Sequence, residues 1–156
     1  MKLNKLIPAV LAIVFVSTAF TLPNPTAEKT APVFRCTLNN KSYEYTGLKA
    51  YMRVITGGQK QLSLYNDLFS KFCFLNPTAK EMMVSGSHEA IIRYVEPGTN
   101  NTYYPTTGKV TINSLDLANK VVSGEFELEL HSKEHPERVI SVTKGQFSNI
   151  PIEVLQ

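Results

Sequence analysis

The sequence contains no tryptophan and only two cysteines, Cys36 and Cys73. It has no CxxC pair, no HExxH motif and no glycine-rich phosphate loop, which are the usual signatures of zinc sites, metalloproteases and nucleotide binding. No segment keeps a helical hydrophobic period either. We therefore predict no cofactor and no catalytic residue, and we expect that the protein is not an enzyme.

A marked excess of charge of one sign is also lacking. The 16 lysines and arginines include Lys2 and Lys5 in the N-terminal segment, and the other 14 nearly balance the 13 acidic residues. A nucleic-acid-binding protein needs a concentrated basic face, because its affinity comes largely from neutralised phosphates. Nucleic acid is therefore not an expected partner.

The one long apolar run, Leu6 to Val16, follows Lys2 and Lys5 and precedes the small residues Ser17-Thr18-Ala19. This pattern predicts a cleaved secretory signal peptide over residues 1–19. No later run is long enough for a transmembrane span, and no cysteine follows the apolar run to carry a lipid. We expect a secreted or periplasmic protein of the cell envelope.

Residues 20–32 are rich in proline and predict a flexible lead-in, so the domain is expected to occupy residues 33–156. Short alternating runs separated by Gly, Pro and Asn predict a single all-β domain of about eight to ten antiparallel strands. We favour a β-sandwich, with a partly closed barrel as the alternative. The predicted strands include 109–115 and 121–131, and a last segment, 146–154, in which Pro151 indicates an edge.

The two cysteines allow two interpretations. In an oxidising compartment an isolated pair predicts one structural disulfide, Cys36–Cys73. Two buried, unpaired thiols are the alternative. Neither cysteine has a histidine nearby in the sequence, so a thiol metal site is not predicted.

Glu125, Glu127, Glu129 and His131 alternate with apolar residues and should share one face of a strand. Glu127, Glu129 and His131, together with His135 from the following turn, are candidate ligands for a metal ion. Ligands spaced along one strand diverge, however, whereas a metal requires them to converge. We therefore predict no metal site and interpret the row as the polar face of a half-exposed sheet.

Tyrosine is plentiful, and Tyr103-Tyr104 lie in a segment predicted to be a loop. Exposed tyrosines can stack on sugar rings, which makes this pair a candidate ligand-binding site for a glycan. Carbohydrate-binding platforms commonly use tryptophan, however, and tyrosine is also a common strand residue, so we favour the interpretation that these are ordinary residues of a sheet.

Three passages resemble an uncharacterised family of secreted, often lipid-anchored, β-rich envelope proteins of Bacteroidota. They are residues 34–41 (FRCTLNNK), 109–126 (KVTINSLDLANKVVSGEF) and 144–147 (KGQF). The resemblance implies an all-β envelope protein and brings no catalytic residue with it. This chain lacks the cysteine that anchors such proteins to lipid.

The leading hypothesis is a non-enzymatic β-domain that serves as a binding or structural module of the cell envelope, with an envelope protein or a glycan as partner. A small-ligand carrier with a calycin-like barrel is the alternative, and it requires a closed sheet around a cavity. A metal-assisted hydrolase using Glu125, Glu127, Glu129 and His131 is the third hypothesis.

Overall fold

The computed structural model describes residues 31–85 and 88–155, and within them the chain forms ten β-strands, one 3-10 turn and no α-helix. The predicted signal peptide and most of the lead-in lie outside the described residues. The elements are β1 (Val33–Leu38), β2 (Lys41–Thr46), β3 (Ala50–Val54), the 3-10 turn (Thr56–Gly58), β4 (Lys60–Leu64), β5 (Phe69–Leu75), β6 (Glu81–Met83), β7 (Ala90–Val95), β8 (Thr102–Asp116), β9 (Val121–Ser132) and β10 (Val139–Val154).

Seven of these strands close into a ring. They pair in the order β9, β10, β3, β4, β5, β7 and β8, and β8 pairs again with β9. Every pair is antiparallel except β10 with β3. The β1–β2 hairpin extends the sheet beside β10, and β6 extends it beside β8. The predicted all-β class is confirmed, and the sheet takes the form of a barrel with extra strands.

Two short joins hold the ring together. Tyr94 and Val95 of β7 pair with Tyr103 and Thr102 of β8, and the end of β10 pairs with β3 from Ile152 onward. Within the ring, β4 pairs with β5 over an equally short stretch, whereas β9 pairs with β8 and β10 over much longer ones. The barrel therefore consists of a sheet of long strands and a sheet of short strands joined at their edges, which gives it a sandwich-like, two-layered core.

Six phenylalanines fill the space between the two layers, and each is between 0% and 2% exposed. Phe72 of β5 lies at the centre, with its ring 5.0 Å from that of Phe126 and 5.7 Å from that of Phe34. Such edge-to-face packing is favourable beyond the area that it buries. The six rings are those of Phe34, Phe69, Phe72, Phe74, Phe126 and Phe147.

Two glycines in the long strands allow this packing. A Cβ on Gly145 would collide with the carbonyl oxygen and ring of Phe126, and one on Gly124 would collide with the ring of Phe147 and the carbonyl oxygen of Thr111. The phenyl rings therefore lie directly against strand backbone. Only glycine leaves the space that they need.

Two sequence expectations about the strands are wrong. The segment around Tyr103-Tyr104 belongs to β8 and is not a loop, and Pro151 is not in an edge strand, because β10 lies inside the sheet. Pro151 falls between Ser148, where the pairing with β1 stops, and Ile152, where the pairing with β3 begins. Its missing N–H is therefore tolerated in an interior strand.

The predicted disulfide is also wrong. Cys36 and Cys73 are both free thiols, and both are buried. Cys36 alternates with the buried Phe34 and Leu38 on the inward side of β1, whereas Cys73 lies between the inward-facing Phe72 and Phe74 of β5. Since neighbouring residues of a strand point to opposite faces, Cys73 points outward, and the two sulfurs lie on different sides of the sheet.

Candidate functional site

The acidic row of β9 faces outward, as its alternation with buried Phe126, Leu128 and Leu130 requires. Nε2 of His131 lies 2.9 Å from a carboxylate oxygen of Glu129, and Nδ1 lies 3.0 Å from the carbonyl oxygen of Pro136. His131 is thus fixed between its own strand and the following turn. Both ring nitrogens already have partners.

The other candidate ligands do not join this pair. His135 lies beside Glu137, with Nδ1 3.5 Å from the carboxylate, while Glu127 lies opposite Lys109 of β8. Lys109 also forms a 3.0 Å ion pair with Glu81 of β6. Among residues 31–85 and 88–155, no group of three or more His, Cys, Asp or Glu side chains could hold a metal ion.

Tyr103 and Tyr104 point to opposite faces of β8. Tyr103 is buried, with its ring 5.8 Å from that of Tyr94, and burial raises the pKa of its hydroxyl. Tyr104 is 41% exposed and lies opposite His131. The pair therefore does not form one stacking platform, and only Tyr104 is open to a ligand.

A groove with a volume of about 620 Å³ lies on the outer wall of the barrel. It crosses four strands along one row of the sheet, in which Glu44 of β2 lies opposite Arg35 of β1, Arg35 opposite Gln146 of β10, and Gln146 opposite Glu125 of β9. We call it the polar groove. Its lining residues are Arg35, Cys36, Thr37, Ser42, Tyr43, Glu44, Glu125, Lys144, Gly145 and Gln146.

A β-bulge in β10 shapes the polar groove. The register with β9 shifts between Val142 and Gly145, and Lys144 has a φ of +52°. The bulge turns Lys144 out of the regular pleat, and Lys144 lines the polar groove together with Glu125. A second depression of about 230 Å³ shares Glu125, Lys144 and Gly145 and continues the surface toward β8.

The polar groove carries two cationic and two anionic side chains together with hydroxyl and amide groups. Such a surface can pair with both donors and acceptors of a polar ligand. Its residues come from four strands, so no local sequence motif predicts this groove. Of the residues considered as sites from the sequence, Glu125 lines it with an outward side chain, and Cys36 belongs to its lining between Arg35 and Thr37 although its thiol points inward. Glu127, Glu129, His131, His135, Tyr103 and Tyr104 are not among its lining residues.

Comparison with known proteins yields no match: no protein-family model, no curated protein and no solved structure is similar to this chain. The candidate site therefore rests on the geometry of its own residues. Within residues 31–85 and 88–155, no helix is long and apolar enough to cross a membrane.

Proposed function

We propose that the protein is a secreted or periplasmic, non-enzymatic β-domain that acts as a binding module of the cell envelope, with the polar groove as its binding surface. The observation that carries this proposal is the row of Glu44, Arg35, Gln146 and Glu125 across four paired strands beside a groove of about 620 Å³. The sheet backbone holds these groups at fixed spacing, which lowers the ordering cost of binding.

The chemistry of the groove favours a polar ligand, either a glycan or a segment of an envelope protein. Arg35 offers several N–H donors in a planar fork, and Glu125 offers carboxylate acceptors. Ser42, exposed on β2 and paired with Thr37 of β1, adds a hydroxyl group. The basic, apolar and small-residue pattern of residues 1–19 supports a location outside the cytoplasm.

A small-ligand carrier is the second candidate, because the closed ring of seven strands is the architecture that such carriers use. Its interior argues against it. A carrier keeps a cavity inside the barrel, whereas here Phe72 and Phe126 pack with their rings 5.0 Å apart at the centre. A ligand inside the barrel would have to displace these rings.

The test is ligand binding by a variant with an altered groove. Arg35→Ala combined with Glu125→Gln removes one cation and one anion and leaves the net charge unchanged. Lys133→Ala combined with Glu137→Gln makes the same charge changes at exposed positions outside the groove. Calorimetric titration with envelope oligosaccharides and peptides should show at least a tenfold loss of affinity for the first variant, because charge-assisted hydrogen bonds are lost. Equal affinities for both variants would contradict the proposal.

A further inference from the structure

Four exposed apolar side chains gather at one end of the barrel. Val54 is 66% exposed, Val154 61%, Leu117 51% and Leu155 47%. They come from the end of β3, the turn between β8 and β9, and the C-terminal end of β10, so the fold has brought distant parts of the sequence together. Exposed apolar residues that cluster in this way mark interaction surfaces, whereas isolated ones do not.

These side chains surround a groove of about 240 Å³, which we call the apolar groove. Buried Met52 and Ile152 also line it, and Arg53, Lys60 and Lys120 are its charged members. The residues that line the groove include three cations and no carboxylate. The apolar groove therefore fits a partner with an apolar interior and an anionic boundary.

The turn between β8 and β9 carries two residues that line the apolar groove, Leu117 and Lys120. The carboxylate of Asp116 accepts a hydrogen bond from the backbone N–H of Asn119 at 2.8 Å and one from its side chain at 2.7 Å. These bonds lower the pKa of Asp116, and they fix the turn that carries Leu117 and Lys120. The charge of Asp116 is thus directed into the turn.

The small volume of the apolar groove indicates a docking surface for a larger partner. It does not indicate a pocket that encloses a small molecule. Pockets that enclose a small molecule usually have volumes of about 300–1,000 Å³. This groove is smaller, and its apolar side chains project from it. The chain's own apolar segment, Leu6 to Val16, is a poor occupant, because Lys2 and Lys5 beside it would face Arg53, Lys60 and Lys120.

We propose that this end of the barrel docks on an anionic lipid bilayer. Val54, Leu117, Val154 and Leu155 enter the boundary of the acyl chains, and Lys60 and Lys120 lie among the lipid phosphates. Apolar burial and electrostatic attraction act together in peripheral membrane binding of this kind. The proposal is independent of the polar groove, which lies on the outer wall.

The test is co-sedimentation of the processed protein with vesicles, after mass spectrometry has identified its N-terminus. One vesicle preparation contains phosphatidylcholine alone, and the other contains phosphatidylcholine with phosphatidylglycerol. Val154→Asp should weaken binding to the anionic vesicles at least tenfold. Val139→Asp is the matched control, because it changes an exposed valine at the opposite end of the same strand and should leave binding unchanged. Thermal melting of both variants establishes that they are folded.

The charged rim is tested in the same assay. Lys60→Gln combined with Lys120→Gln should weaken binding to the anionic vesicles about thirtyfold, since each lysine near such a surface contributes about fivefold. Equal effects of Val154→Asp and Val139→Asp, equal binding to neutral and anionic vesicles, or no binding at all would overturn the proposal. Saturation of the groove by dispersed short-chain phosphatidylglycerol would also overturn it, because the occupant would then be a single lipid.

Discussion

The side-chain amide of Gln61 donates a hydrogen bond to the sulfur of Cys73 at 3.3 Å. The oxygen of the same amide accepts a 2.9 Å hydrogen bond from Nε of Arg53, so Gln61 joins three adjacent strands on the outer face of the sheet. Gln61 is itself buried, with an exposed fraction of only 6%. This network holds the thiol of Cys73 away from the interior, where Cys36 lies.

The protein should therefore contain two free thiols even when it is purified without reductant. Intact-mass analysis should give the mass of the dithiol form, and both thiols should react with a disulfide reagent only after unfolding, because both side chains are buried. A reductant should leave the midpoint of thermal unfolding unchanged. A native mass lower by two hydrogens, with a midpoint that falls on reduction, would mean that the chain forms the disulfide.

Alkaline pH should destabilise the fold in part through Cys36. Burial raises the pKa of this thiol from 9.0 to about 11, so the folded state holds the proton more tightly than the unfolded chain. The contribution to the free energy of unfolding is fully present below pH 9 and is lost as the pH rises toward 11. Chemical denaturation at pH 8 and at pH 10.5 should show a smaller decrease for Cys36→Ala than for the wild type. The same decrease in both would contradict this assignment.

Phe72 should be among the side chains that matter most for stability. It is 1% exposed, and its ring meets those of Phe34, Phe126 and Phe147 from the opposite layer. Phe72→Ala should lower the free energy of unfolding by about 3–5 kcal/mol, measured by urea denaturation. Tyr65→Ala changes an aromatic residue that is 65% exposed and should cost much less. Similar costs for the two variants would mean that the centre of the barrel is not packed as described.

Gly145→Ala should destabilise the protein by about 1–3 kcal/mol or more, because the added methyl meets the backbone and ring of Phe126. The control is Gly57→Asn, at a position with a φ of +83° and no atom within 4 Å of an added Cβ. Asparagine tolerates this backbone conformation, so Gly57→Asn should lower the free energy of unfolding by only a small fraction of the loss expected for Gly145→Ala. A neutral Gly145→Ala would show that β9 and β10 can separate at the bulge.

Much of the fold could be predicted from local patterns. The alternation in β9 is visible in the sequence because Phe126, Leu128 and Leu130 face one layer while Glu125, Glu127 and Glu129 face solvent. The full length of β8 was not predictable in this way. Pro105 and Gly108 are typical of loops, but here the β8–β9 register shifts beside Pro105, and the carbonyl of Glu127 approaches Gly108 too closely for any side chain.

The two grooves could not be predicted, because they depend on the register between strands that are distant in the sequence. Arg35 and Glu125 share a row only because β10 lies between them and Gln146 faces both. Val54 and Leu117 likewise line one groove only because β3 pairs with the end of β10. The error over the cysteines has the same origin, since the face on which Cys36 and Cys73 lie is decided by strand pairing.

The most direct test of the binding proposal is a nuclear magnetic resonance titration of the isotope-labelled protein with oligosaccharides and peptides of the cell envelope. We expect the backbone amide shifts to concentrate at Arg35, Lys144, Gly145 and Gln146, along the polar groove. Shifts that concentrate instead at Phe72 and Phe126 would place the ligand inside the barrel. That result would contradict binding at the polar groove and favour a small-ligand carrier.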